Sequence, residues 1–283
     1  MPDPQKLMNT VRRAAQLFRS TPGRKGMIVE TGSNADDVLV AGDLHGNIAH
    51  FQVLLDRARL DRNPRRHLVL QELVHGASLY PNGGCKSHQL VDLVSALKCQ
   101  YPDRVHVILG NHELAELLDK PILKAGTRTD QIFRLGIQTA YGEMSDQVYA
   151  AYLELFRAMP LAVRTGNRVF MSHSAPEASD LDEGFDTNLF AAASMDDAIR
   201  NCRRALHDLV WGRDSSESTA RRFASLVEVD YLITGHMPCP EGHRVPNPVQ
   251  LILDCSHFPA CYCLFSAREA LAIQDLIDAV RTL

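Results

Sequence analysis

Five short apolar runs in this chain stop at residues that can hold a cation. Val38-Leu39-Val40-Ala41 runs into Gly42-Asp43, and residues 105–109 run into Gly110-Asn111. Arg168-Val169-Phe170-Met171 ends at Ser172-His173, and residues 231–234 end at Gly235-His236. Leu68-Val69-Leu70 ends similarly, at Gln71-Glu72. The runs read as strands, and helical patterns lie between them. Asn47 can cap a helix carrying Phe51, Leu54, Leu55 and Ala58. Residues 90–97, 146–159 and 220–227 also have helical spacing. Residues 249–253 and 261–265 read as late strands, followed by a last helix through Val280. Strands interleaved with helices predict an α/β domain. Strand ends in such a sheet converge on one edge, where ligands bind. The topology would then gather Asp43, His45, Glu72, Asn111, His112, His173 and His236.

Composition narrows the class. The chain has 283 residues, 45% hydrophobic and 23% charged, with a net charge of −4. Disorder needs lower hydrophobicity and higher net charge than this. A balanced charge gives no electrostatic footprint for a nucleic acid or an anionic membrane surface. No stretch approaches the roughly 20 apolar residues of a membrane span. Residues 1–20 space Leu7, Met8, Val11, Ala14, Ala15 and Phe18 as an amphipathic helix on a core, without the apolar h-region of a signal peptide. The seven cysteines are odd in number and irregular in spacing, which predicts free thiols in a reducing, cytoplasmic setting.

Hydrolysis at a two-metal site needs hard oxygen ligands and imidazoles from several elements, with one carboxylate shared between the ions. Asp43-x-His45 supplies both donor types on one loop, and Glu72 offers the shared carboxylate. Asn111, His173 and His236 can complete the shell of a second ion. His112 follows Asn111 directly, so one of the pair can bind metal while the other faces a substrate.

These segments resemble a known family. Gly42-Asp43-Leu44-His45-Gly46-Asn47 and Gly110-Asn111-His112-Glu113 are similar to the first and third signatures of calcineurin-like metallophosphatases. Residues 152–176, residues 209–214 and Ile233-Thr234-Gly235-His236-Met237-Pro238 resemble later segments of the phosphoprotein phosphatase branch. The resemblance covers residues 37–266. It implies a two-sheet β-sandwich flanked by helices, as a single domain over residues 1–283. Residues 1–25 would be a helical extension and residues 113–160 a helical insertion. It implies two ions of Mn, Fe or Zn. Asp43 and His45 would hold one, Asn111, His173 and His236 the other, with Glu72 bridging. His112 would protonate the leaving group, Glu113 would hold its loop, and Asn111 and Arg213 would contact phosphate. A hydroxide shared by the ions would attack phosphorus in line.

The second signature departs from the family. Its usual Gly-Asp-x-Val-Asp-Arg-Gly aligns with Gln71-Glu72-Leu73-Val74-His75-Gly76-Ala77. The bridging Asp is Glu72. The Asp partner of the catalytic histidine is His75, and the phosphate-gripping Arg is Gly76. Arg213, Arg128 and Arg134 are candidate replacements for that Arg. His75 and His88 flank the turn-rich residues 76–86 and read first as solvated loop histidines and second as unorthodox ligands or substrate contacts. The leading expectation is a phosphomonoesterase acting on a phosphorylated protein or small molecule. A nucleotide polyphosphate hydrolase and a non-catalytic metal-binding scaffold are the alternatives.

Overall fold

The computed structural model describes residues 3–124 and 127–283, apart from the side chains of Lys124 and Thr127. Met1 and Pro2 of the predicted first helix, and Ala125 and Gly126, lie outside these.

Two sheets stack face to face. The first orders its strands Val280–Thr282, Cys261–Ser266, Asp37–Asp43, Arg66–Gln71 and Val105–Ile108, the last three parallel. The second carries Val169–Ser172, Tyr231–Thr234 and Gln250–Leu253 as parallel neighbours at its centre. Side-chain alternation explains why the strands read as nearly unbroken apolar runs. Val38, Val40, Val69, Ile108, Val169, Met171 and Ile233 belong to the core between the sheets. Their neighbours Leu39, Ala41, Leu68, Leu70, Phe170 and Leu232 pack outward into a second, larger core. A strand covered on both faces has no polar side to alternate with.

The helix Ile48–Ala58 starts where expected, with Asn47 Oδ1 accepting from the His50 N–H at 3.0 Å. Helices His88–Gln100, Ser145–Phe156 and Glu217–Leu226 match the periodic stretches. Pro4–Arg19 buries Leu7, Met8, Val11, Ala14, Ala15 and Phe18, and Asp3 caps its start. The chain's end departs from expectation. The last helix stops at Asp278, and Val280–Thr282 turns back to pair with Cys261–Cys263 as an edge strand. Among the described residues, no helix is long and apolar enough to cross a membrane. The seven cysteines are free thiols.

His67 and His106 lie on the face between the sheets, with His67 Nδ1 2.9 Å from His106 Nε2. Burial, aided by the charges of Arg104 and Lys98, lowers His67 from 6.5 to about 4. The folded state therefore binds the proton less readily than the unfolded chain. Stability from this residue is complete above pH 6.5 and is lost as pH falls toward 4. Urea titrations should show wild type losing about 2 kcal/mol more than His67→Asn between pH 7.5 and 5.0. Equal losses would mean that His67 does not titrate differently on folding.

Candidate metal and catalytic site

The two sheets meet at the C-terminal ends of their parallel strands, where an isolated parallel bridge joins Asp43 to Asp254. Each strand must turn within one or two residues to deliver its polar side chain. The backbone shows the cost. His45 (φ 42°), Glu72 (φ 50°), His75 (φ 61°) and His236 (φ 64°) all occupy the left-handed region. Non-glycine residues avoid that region, and those held there cluster at functional sites. Two glycines let the site carboxylates approach the backbone closely. A Cβ on Gly110 would lie 2.7 Å from Glu72 Oε1, and one on Gly235 would lie 2.2 Å from Asp43 Oδ1.

Glu72 lies between two donor groups. On one side, its Oε2 is 2.8 Å from His173 Nε2. That nitrogen and His236 Nδ1 lie 2.9 and 3.0 Å from Asn111 Oδ1. On the other side, Glu72 forms a second potential ion-holding group with His45 and His112. The two groups share Glu72, and within each the ligand atoms lie within 4.8 Å of one another.

Neighbouring groups fix which nitrogens face inward. His45 Nδ1 is 2.9 Å from the Val74 carbonyl, which can only accept, so Nδ1 carries the proton and Nε2 is the nitrogen with a lone pair. His173 Nδ1 is 3.1 Å from Gln71 Oε1, while Gln71 Nε2 donates to the Ala41 carbonyl at 3.0 Å. Gln71 thus orients His173. Sequence reasoning missed it because Gln71 aligns with a glycine in the family signature. Asp43 sits behind His173. Its two oxygens accept from the His236 N–H at 3.1 Å, and Oδ1 is 3.7 Å from His173 Nδ1. Asp43 is absent from both ion-holding groups that share Glu72. Glu113 ties two loops together: its carboxylate accepts from the N–H groups of Leu73 (2.7 Å), Val74 (3.2 Å) and Gly110 (3.2 Å).

Burial biases these groups toward their neutral forms. It raises Asp43 to about 7, against the pull of His173. It raises Glu113 to about 8, helped by the Glu72 charge. It lowers His173, and lowers His236 to about 2 with help from His173. Neutral imidazole is the form that binds metal, and a cation would recover the cost of ionising the buried carboxylates. The donor set therefore fits divalent ions.

Two expectations need correction. His75 and His88 are buried, 3% and 1% exposed, not solvated. His75 contacts His112 and Glu116, and His88 Nε2 lies 3.1 Å from Tyr80 Oη. Of the candidate arginines, Arg128 is paired with Asp130 at 2.7 Å and Arg134 with Asp119 at 2.9 Å. Arg213 is exposed, yet its charge helps to lower both His173 and His236. A cavity of about 350 Å³ borders His45, with Asn47, Lys86 and Ser256 among its walls. Lys86 is a cation that the sequence reading did not consider.

The family model for calcineurin-like phosphoesterases matches residues 37–240. A probable serine/threonine-protein phosphatase of Encephalitozoon cuniculi is 25% identical over 229 residues, covering 77% of this chain and 46% of that protein. A serine/threonine-protein phosphatase of Caenorhabditis elegans is 24% identical over 231 residues, covering 73% of this chain and 44% of that protein. The chain thus spans under half the length of these relatives. A solved protein serine/threonine phosphatase from Saccharomyces cerevisiae superposes with a TM-score of 0.70 at 16% identity, over 100% of this chain and 90% of that one. A cold-active protein-tyrosine phosphatase of a Shewanella species gives 0.61 at 14% identity, over 92% and 83%. These two structural likenesses concern the fold, a pair of stacked sheets flanked by helices. The family match extends over most of the sequence and takes in every strand end that carries the site, so the chain belongs to the calcineurin-like phosphoesterase family.

Proposed function

We propose that this protein is a dinuclear metal-dependent phosphomonoesterase acting on phosphoserine or phosphothreonine. The observation that carries this reading is the pair of ligand groups sharing Glu72. In this reading His45 and Glu72 hold one ion and Glu72, Asn111, His173 and His236 the other; Asp43, which lies outside both groups beside His173, is proposed as a further ligand of the first. Imidazole, carboxylate and amide donors suit Mn, Fe or Zn. When bound, the ions supply Lewis acidity toward water and the phosphoryl oxygens. His112 donates a proton to the leaving oxygen. Glu113 holds the start of the helix Asn111–Leu117, which carries Asn111 and His112, against residues 73–74. Asn111 and Arg213 contact the phosphoryl group, and Lys86 supplies positive charge at the cavity beside His45. Residues 1–283 act as one catalytic unit, with residues 1–25 as an extension and 113–160 as a helical insertion. The names of the two serine/threonine phosphatase relatives support the substrate class. A reducing, cytoplasmic setting suits the free thiols.

Elemental analysis of purified protein, followed by phosphatase assays on an aryl phosphate and a phosphoserine peptide across added metals, tests this. Two ions per chain are expected, with hydrolysis that chelation abolishes and metal restores. Fewer than two ions per chain, with no hydrolysis above background, would sink the proposal.

A further inference from the structure

The family signature places a carboxylate beside the catalytic histidine, and this chain places His75 there. Behind His75 the structure continues. His75 Nδ1 lies 2.6 Å from His112 Nδ1, and His75 Nε2 lies 2.8 Å from Glu116 Oε1. Tyr149 Oη is 2.7 Å from Glu116 Oε2, and Arg134 Nη2 donates to Tyr149 Oη at 3.0 Å. The side chains of His75 and Glu116 are 0% and 1% exposed, so water does not compete for these contacts.

Hydrogen-bond chemistry gives this chain one direction. A guanidinium can only donate. Tyr149 therefore accepts from Arg134 and passes its own proton to Glu116 Oε2. A Glu116 carboxylate can only accept, so His75 Nε2 carries the proton toward it. For a neutral His75 ring, Nδ1 is then the acceptor and His112 Nδ1 the donor. Nε2 of His112 is the nitrogen that would exchange a proton with substrate. We infer that Glu116, acting through His75, is the positioning carboxylate for His112 and replaces the missing aspartate by a one-imidazole relay. The relay rests on the proposed role of His112 as proton donor.

In the reaction, the P–O bond to the leaving group breaks and its electron pair stays on the leaving oxygen. That oxygen takes the His112 Nε2 proton, whose bonding pair remains on the nitrogen. His112 Nδ1 keeps its proton throughout, held by His75. His112 is thus the imidazolium before proton transfer and the Nδ1–H tautomer after it, and the relay holds Nδ1 in both forms. Its carboxylate also faces the imidazolium charge through the intervening ring.

Imidazole ¹⁵N NMR on the histidine-labelled full chain tests this without reference to turnover. Wild type should show His112 protonated at Nδ1 and His75 protonated at Nε2. Glu116→Gln should lose that fixed pair of tautomers and lower kcat about ten- to hundredfold, with KM, metal content and Tm little changed. His75→Ala should lower kcat similarly. The double variant His75→Asp with Glu116→Gln returns a carboxylate to position 75 and should recover kcat to within a few-fold. A merely structural role would not produce that recovery. Neutral His112 protonated at Nε2 in wild type, or unchanged tautomers and kcat in Glu116→Gln, would overturn the relay. A wild type with no phosphatase activity would defeat the function proposed above, and the tautomers alone would then decide the relay.

Discussion

Replacing His112 with Ala is expected to lower kcat about 10²–10⁴-fold on a phosphoserine peptide. The residue is 9% exposed in the first turn of the helix Asn111–Leu117, whose start Glu113 braces, and its Nδ1 is held by His75. An alkoxide leaving group needs the proton that such a residue supplies. A nitrophenolate leaves readily without one. The same variant should therefore lose only roughly tenfold or less on p-nitrophenyl phosphate. This contrast separates a proton donor from a ligand, because His112 also lies in one of the two potential ion-holding groups. Metal content remaining at two ions, with the leaving-group contrast, supports the acid role. A fall to one ion with equal losses on both substrates would reassign His112 as a ligand.

Glu72→Ala is expected to have the second large effect. Glu72 is 1% exposed and is the member common to both ligand groups. Its removal should lower metal content from two ions to one or fewer. Losing several kcal/mol of charge stabilisation at the phosphoryl group corresponds to a rate loss of about 10³-fold or more. Glu72 Oε1 also accepts from the His112 N–H at 3.1 Å, so the first turn of the helix Asn111–Leu117 should loosen as well. Glu72→Gln keeps the length and that hydrogen bond while removing the charge. It should lose metal like Glu72→Ala but retain Tm. Activity that survives Glu72→Ala unchanged would remove the bridging assignment while leaving the other ligands in place.

The polar residues at the strand ends were readable because strand endings are local events. An apolar run ends where a glycine or a polar residue allows a sharp turn. Asp43, Asn111, His173 and His236 each stand at or just beyond such a point. His67 and His106 stand within strands, away from such points, and pair with each other inside the sandwich. The final strand, Val280–Thr282, was not readable. It is three residues long and takes its conformation from pairing with Cys261–Cys263, not from its own periodicity.

His75 shows most sharply where sequence reading stops. Its position in a turn-rich, glycine-containing stretch predicts exposure, and no local pattern links it to a residue 41 positions later. Gln71 and His173 are likewise 102 positions apart, and Asn111 and His236 are 125 apart. Such contacts depend on the parallel register of Arg66–Gln71 against its neighbours and on how the two sheets stack. By itself the sequence determined which side chains reach the site edge, because strand period, turn residues and helix caps act within a few residues. Only the tertiary structure decided which nitrogen of each histidine faces inward and which carboxylate stands behind His112. Those choices are made by hydrogen bonds that form after distant strands have been brought into register.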